Sequence, residues 1–217
     1  MSNDSHRQPP SSGPSDEAAP GTAPYPAGRP YVCPPWIGRL LVSPLRRLFT
    51  DPRRRLGPHV RPGMTVLEPG CAMGFFSLPL ARMVGPTGRV VCVDLQATMI
   101  DGLLQRAKQA GLDDRLVPIC GTLDDPRLEP YVGRIDFAAA IHMVHEVPDG
   151  AAFLRRLHDL LRPAARLLVI EPRWHVPAAA FARTVERARK AGLVELDPPR
   201  AGRPRSALFE RPAERAP

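Results

Sequence analysis

From about residue 59 onward, short apolar runs alternate with stretches whose apolar positions recur every three or four residues. That alternation of a two-residue period with a helical period predicts repeated strand–helix units. Met64 to Glu68 reads as a first strand, followed by a Gly-containing loop at 70–74 and a helix through Phe76, Leu80 and Val84. Gly85-Pro86-Thr87-Gly88 stops that helix. Arg89 to Val93 is a second strand ending at Asp94. A helix over 97–110 places Met99, Leu103, Ala107 and Ala110 on one face, with Gly111 as its C-terminal stop. Leu116 to Cys120 is a third strand, and Pro118, which has no amide to donate, assigns it to a sheet edge. Arg134 to Ile141 is apolar almost throughout, as a central strand covered on both faces must be. Asp149 caps a helix carrying Phe153, Leu157, Leu160 and Leu161, which Pro163 is expected to end. Arg166 to Ile170 is a fifth strand, a helix follows near 177–191 with Gly192 past its end, and two weaker strands lie near Leu193–Leu196 and Ala207–Glu210. The sum is an α/β fold, a mostly parallel sheet with helices on both faces.

The beginning of the chain is different. Residues 1–30 are rich in Pro, Ser, Gly and Ala and nearly free of large apolar residues. Such a segment cannot bury enough surface to offset its ordering entropy, so a disordered tail is expected. Over 31–58, Trp36, Ile37, Leu40, Leu41, Leu45, Leu48 and Phe49 recur at helical spacing, and Ser43-Pro44 and Asp51-Pro52 each read as an N-cap followed by proline at the first helical position. Short helices are expected near 34–42, 44–49 and 52–57, forming a helical cap over the substrate mouth. Residues 59–217 form the main domain.

Composition changes this picture little. The 217 residues include 43% hydrophobic residues, enough for a real core, and 28 prolines. No apolar run is long enough for a membrane span. The polar start holds Asp4, Asp16 and Glu17 and lacks the look of a secretory or import signal, so the cytoplasm is the expected compartment. Cys33, Cys71, Cys92 and Cys120 show neither metal-ligand nor disulfide-framework spacing. The net charge of +8 raises the question of nucleic acid, but only Lys108 and Lys190 are lysines among 30 basic residues, a bias that suits codon supply better than selected chemistry. One cluster, Arg46, Arg47, Arg53, Arg54 and Arg55 with Arg61 nearby, is either a solvated face or a partner surface.

The chemistry concentrates at two turns. The first reads Glu68-Pro69-Gly70-Cys71-Ala72-Met73-Gly74-Phe75-Phe76, and Asp94 lies twenty residues after Gly74 at the end of the next strand. A glycine-containing turn lets a ligand approach the backbone, and an acid at the next strand's tip can accept hydrogen bonds from both hydroxyls of a ribose. A dinucleotide site would need a third glycine where Phe75 stands, and a carboxylate at Glu68 facing the loop would repel a pyrophosphate and suit a cation. The second turn reads His142-Met143-Val144-His145-Glu146-Val147-Pro148-Asp149.

Over roughly residues 60–210 this arrangement resembles class I S-adenosylmethionine-dependent methyltransferases, of the small-molecule, ubiquinone-biosynthesis-like group. The spacing Glu68-x-Gly70-x-Ala72-x-Gly74 resembles their first motif, the His142–Asp149 turn their LHEVPD segment, and Leu160-Leu161-Arg162-Pro163-Ala164-Ala165-Arg166-Leu167-Leu168 their LLKPGGRLL segment with alanines for both glycines. The resemblance implies a three-layer Rossmann-like fold with seven strands, the C-terminal one antiparallel, and S-adenosyl-L-methionine as cofactor. It implies cofactor contacts at Glu68, Gly70, Cys71, Ala72, Gly74, Asp94, Leu95, Thr122, Leu123 and His142. Glu68 would help hold the methionine ammonium, Asp94 the ribose, and Leu95 the adenine face. Thr122 stands where many members carry an acid for the adenine amino group, and Ala72 where they carry glycine. The Asn/Asp-Pro-Pro-Tyr signature of amino-nitrogen methylation is missing.

The implied reaction is methyl transfer to a small-molecule acceptor. RNA methylation, suggested by the arginine cluster, and a non-catalytic cofactor-binding scaffold, suggested by Ala72, Thr122, Ala164 and Ala165, are the alternatives. His145 or Glu146 is the expected base if the acceptor needs one. Two histidines three apart without a third ligand make a poor metal site, so no metal is expected. His59, His158 and His175 belong to no local constellation, Phe75 and Phe76 read as core, and Cys71 is expected to contribute backbone rather than sulfur. Oligomeric state is not legible.

Overall fold

A computed structural model of the chain describes residues 50–197 and 205–213. These fall within one compact unit. The proposed tail, the helices expected near 34–42 and 44–49, and Cys33 lie outside the described residues.

Seven strands form one sheet in the order β3-β2-β1-β4-β5-β7-β6. They are β1 (Thr65–Pro69), β2 (Arg89–Asp94), β3 (Leu116–Cys120), β4 (Ile135–Ile141), β5 (Leu161–Glu171), β6 (Val194–Asp197) and β7 (Arg205–Glu210). The first five run parallel, and β7 is antiparallel to both β5 and β6. The helices are α1 (Pro52–Leu56), α2 (Ser77–Val84), α3 (Ala97–Ala110), α4 (Gly150–Leu160) and α5 (Ala178–Lys190). The seven-stranded three-layer fold expected from the sequence is the one observed.

The apolar strands explain the layering residue by residue. Leu67, Val91, Val93, Ala138, Ala140, Leu167 and Val169 point to one face, where Leu154 and Leu157 of α4 and Phe181 and Val185 of α5 cover them. Their neighbours Val66, Val90, Cys92, Phe137, Ala139, Ile141, Leu168 and Ile170 point to the other, under Leu78 and Leu80 of α2 and Leu103 of α3. Both faces of the inner strands are dry, so their alternate positions are all apolar. Pro118 lies in β3 at the sheet edge, and β4 is central, as expected. Gly111 ends α3 in the left-handed conformation at φ 61°.

Two boundaries differ from expectation. α4 ends at Leu160 and the chain enters β5 directly at Leu161, so Pro163 lies inside the extended run instead of ending the helix. The register of β4 on β5 shifts between Ile135 and Phe137, and Ala164 takes a positive φ of 61°, which is how the strand accommodates that segment. In the segment 31–58, only its end is described. There Asp51 caps α1, accepting from the Arg53 amide, and Leu56 is fully buried. His59, just beyond, stacks on Phe137 at 5.4 Å between ring centroids. That anchor is toward the amino end of β4.

Strand order reverses between β1 and β4: β2 and β3 build outward on one side, β5, β7 and β6 on the other. In such sheets the loops leaving the two central strands part and open a crevice at their carboxyl ends. Both motif turns leave the sheet there.

Candidate functional site

The first side of the crevice is built by the turn after β1. Gly70, Ala72 and Gly74 all have positive φ, at 69°, 46° and 80°. The amides of Gly70 and Cys71 both donate to the Val93 carbonyl, at 2.8 and 3.2 Å, tying the loop to the end of β2. A Cβ on Gly70 would lie 2.9 Å from Met143 Cβ, and one on Gly74 would lie 2.3 Å from Leu103 Cδ1. The loop therefore passes close to the second turn at one glycine and seats on α3 at the other. Ala72 adopts the glycine-like conformation despite its methyl group, at a cost of about 1 kcal/mol. Its amide is held in place by Asp94, whose Oδ2 accepts it at 2.9 Å.

Asp94 is the hub of this half. Oδ1 accepts the Gln96 amide at 3.0 Å. An ionised carboxylate offers about four lone-pair sites, so both oxygens retain acceptor capacity, which is what a pair of vicinal hydroxyls requires. Burial raises the Asp94 carboxyl above the usual range, against the opposing pull of the Gln96, Ala72 and Leu95 amides. The Gly121 amide donates to the Asp94 carbonyl at 2.9 Å, drawing the turn after β3 to the same edge. Leu95 is 54% exposed there, an apolar surface open to a ligand. Thr122 is exposed, with Oγ1 accepting the Asp124 amide at 3.2 Å, while Leu123 is buried.

Glu68 departs from the expected electrostatics. It is almost wholly buried behind the loop, and the Ser77 hydroxyl donates to its Oε2 at 2.6 Å. Burial pushes its carboxyl up to about 8, with the Asp94 charge adding to the rise and the Ser77 hydrogen bond opposing it. Burial thus favours the protonated form of Glu68, which braces the loop through Ser77, and Asp94 is the more exposed of the two acids beside the loop. Cys71 is also turned inward. Its thiol lies against Cys92, which together with burial holds it well above the usual thiol range, so only its backbone serves the loop. Phe75 and Phe76 are core residues packed edge to face at 4.9 Å.

The second side is built by the turn after β4. His142 leaves the strand with φ 59°, an unusual conformation for a side chain of that size, and its amide donates to the Ile170 carbonyl at 2.7 Å. A single 3-10 turn, Val144–Glu146, follows. His145 is gripped twice by Glu171, the last residue of β5: its amide donates to Oε1 at 3.0 Å and its Nδ1 lies 2.7 Å from Oε2. Nε2 lies 3.8 Å from Glu146 Oε1. Burial opposes the charged imidazole, but the hydrogen bond and charge of Glu171, with the charge of Glu146, raise His145 overall. Burial also raises Glu146, to about 7, against the His145 charge and with help from Glu171 and Asp94. The His175 ring meets His145 edge to face at 4.9 Å, and Trp174, 88% exposed, packs on His175.

The structure thus brings the residues expected from the sequence to one sheet edge, in two groups. It adds Glu171 and corrects the reading of His175, which does join a constellation. The signal for Glu171 was available: an acid closing an apolar strand, as Asp94 does. What was not available was its partner, 26 positions away. Of the arginine cluster, the described Arg53 and Arg54 are exposed on α1, on the segment anchored toward the amino end of β4. Among the described residues no group of three or more His, Cys, Asp or Glu side chains is placed to hold a metal.

Comparison with known proteins adds the family. Residues 61–196 match a family described as a methyltransferase domain. The chain is 33% identical over 112 residues to the nocamycin O-methyltransferase of Saccharothrix syringae, covering 52% of this chain and 39% of that protein. It is 30% identical over 128 residues to a 2-phytyl-1,4-naphtoquinone methyltransferase of Nostoc sp., covering 58% and 54% respectively. The chain thus spans about half or less of the length of these curated relatives. In fold it is similar to a SAM-dependent methyltransferase from Aquifex aeolicus, with a TM-score of 0.71 and 23% identity over 82% of this chain and 98% of that one.

Proposed function

The chain belongs to the methyltransferase domain family, and from that premise we propose that it binds S-adenosyl-L-methionine and transfers its methyl group to a small-molecule acceptor. The observation that carries this reading is Asp94, whose two oxygens tie the Ala72 and Gln96 amides and keep acceptor capacity at the mouth of the crevice.

The residues present fit the cofactor. The cradle is backbone bent by the positive φ of Gly70, Ala72 and Gly74, with Gly70 and Gly74 packed so closely on Met143 and Leu103 that neither has room for a Cβ. Asp94 suits the ribose diol, and Leu95 the flat face of the adenine, with Thr122 and Leu123 beside it. Glu68 supports the loop through Ser77 and meets a cationic ammonium group only by releasing its proton. His142 borders the crevice from the other side. When bound, S-adenosylmethionine supplies a methyl group already activated by a positive sulfur, so the protein's task is to align acceptor and methyl and to exclude water. His145 and Glu146 stand where a proton leaving the acceptor can be taken up.

A small acceptor is favoured over RNA because the described arginines of the basic cluster, Arg53 to Arg55 on α1 and Arg61 just beyond it, are not among the site residues. The relatives named for a naphthoquinone and for nocamycin support the same class. Among the described residues no helix is long and apolar enough to cross a membrane. Cys71, Cys92 and Cys120 are free thiols, which suits a reducing compartment, so we place the activity in the cytoplasm. We further assign residues 59–217 to the catalytic domain. Calorimetric titration with S-adenosylmethionine and S-adenosylhomocysteine tests the reading: saturable binding of both is expected, and no heat at millimolar cofactor overturns it in favour of a scaffold.

A further inference from the structure

We propose that Glu171 is the positioning residue that makes His145 a proton acceptor through Nε2, and that the methyl acceptor accordingly carries a weakly acidic proton, on a hydroxyl attached to unsaturated carbon or on an activated carbon. This deepens the methyl-transfer reading above and rests on it.

The geometry is specific. Glu171 uses both oxygens on one residue, Oε1 on the His145 amide and Oε2 on its ring. One contact sets where the residue sits and the other sets the rotation of the ring. A carboxylate only accepts, so in the neutral ring Nδ1 carries the hydrogen and Nε2 keeps its lone pair. The exposures differ in the same sense: the Glu171 side chain is 1% exposed and that of His145 is 18%. The carboxylate is walled into the sheet while the imidazole keeps part of its surface open, with Nε2 on the side of Glu146. A lone 3-10 turn would not by itself fix a ring with this precision, because it supplies few side-chain contacts of its own. A buried carboxylate with no catalytic use would be poor evidence for stability, since the cost of desolvation offsets much of the attraction. Its orienting use is the one that needs both oxygens.

Besides Glu171, two groups face His145, and a third acts on one of them. Glu146 is its neighbour on the turn, with Oε1 at 3.8 Å from Nε2. His175 packs on the ring from the segment after β5. Asp94, at the tip of β2, acts on Glu146 by its charge. In the step this permits, the acceptor's proton passes to Nε2. The electron pair left on the acceptor atom forms the bond to the methyl carbon, and the carbon–sulfur pair stays on sulfur, which becomes a neutral thioether. The imidazolium formed faces the Glu171 carboxylate, and the proton leaves by way of Glu146, which is 31% exposed, to water. An acceptor without an ionisable proton would gain nothing from this arrangement.

Two measurements test it. In the unliganded wild-type protein, 15N NMR of the His145 ring is expected to show titration above the ordinary histidine range and, in the neutral ring above that transition, hydrogen on Nδ1; a neutral ring with its hydrogen on Nε2 overturns the proposal. Second, wild type, Glu171→Gln and Glu171→Asp are assayed with S-adenosylmethionine against a panel of phenols and 1,3-dicarbonyl compounds. Positioned proton transfer contributes roughly 100-fold or more, so Glu171→Gln is expected to lower kcat by about that factor with the acceptor KM nearly unchanged. Its acid limb should move to lower pH, because the influence that raises His145 is gone, and Glu171→Asp should recover much of the rate. An unchanged kcat, a change confined to KM, or no methylation of any panel member by cofactor-binding enzyme overturns the proposal. Failure of the wild type to bind cofactor defeats the methyltransferase reading itself. Should Glu171→Gln not fold, the wild-type NMR result and Glu171→Asp still decide.

Discussion

Glu68 and Glu171 each close an apolar run of strand, β1 and β5, and each is almost completely buried, yet they meet different partners. Glu68 receives one hydrogen bond from a neutral hydroxyl and has the Asp94 charge nearby, so burial wins and the acid holds its proton up to about 8. Glu171 receives an amide and an imidazole, one on each oxygen. The sheet offers the same position twice, and the neighbour across the loop decides whether the acid braces a turn or holds an imidazole. The half of the site on β1 to β3 is a backbone cradle tied together by Asp94. The half on β4 and β5 is a side-chain cluster tied together by Glu171.

This division is open to direct attack. The largest effect is expected at Glu68. Its folded carboxyl lies near 8 against an ordinary 4.5, so its contribution to stability is fully present below the unfolded value and is lost as pH rises through the folded one. Glu68→Gln has no proton to lose and should gain on the order of 4 kcal/mol on the wild type between pH 5 and pH 9, read by urea unfolding at both. Equal pH slopes for the two proteins would mean that burial does not hold the proton on Glu68. Next, Asp94→Ala should weaken S-adenosylmethionine binding by about 100-fold or more, since hydrogen bonds to a charged group contribute about 1.5–3 kcal/mol each. The tautomer of His145 should not change, and a change in both would show one coupled site in place of two halves.

Gly74→Ala forces a methyl group to 2.3 Å from Leu103 Cδ1 at a positive φ. It should cost about 2 kcal/mol of stability and weaken cofactor binding, again without touching His145. The smallest effect belongs to Ala72→Gly. Relief of the left-handed conformation and the greater freedom of the unfolded chain nearly cancel, leaving a change within about 1 kcal/mol. A large loss of cofactor affinity there would show that the methyl group itself contacts the ligand.

Much of the architecture was legible beforehand, and for identifiable reasons. The continuous apolar run of β4, the proline in β3 and Gly111 after α3 are local signals of burial, edge and termination, and each held. The failure at Pro163 is equally local in origin: a proline stops a helix, but α4 had already ended when the chain joined β5. At the site, Asp94 and the glycine loop were readable because a strand tip followed by a tight turn is itself a ligand geometry. His142 was readable as a cofactor contact and His145 or Glu146 as a base, without any way to choose between the last two.

The amino-acid order alone determined the alternation of strand and helix, the two turns that leave the sheet, and the acids and histidines placed on them. It determined these because period, turn chemistry and capping act over a few residues. Tertiary structure alone decided that burial raises the Glu68 carboxyl, that Glu171 grips His145, and that His175 packs beside it. Protonation and orientation depend on what surrounds a group in space, and here the surroundings come from strands far apart in the chain.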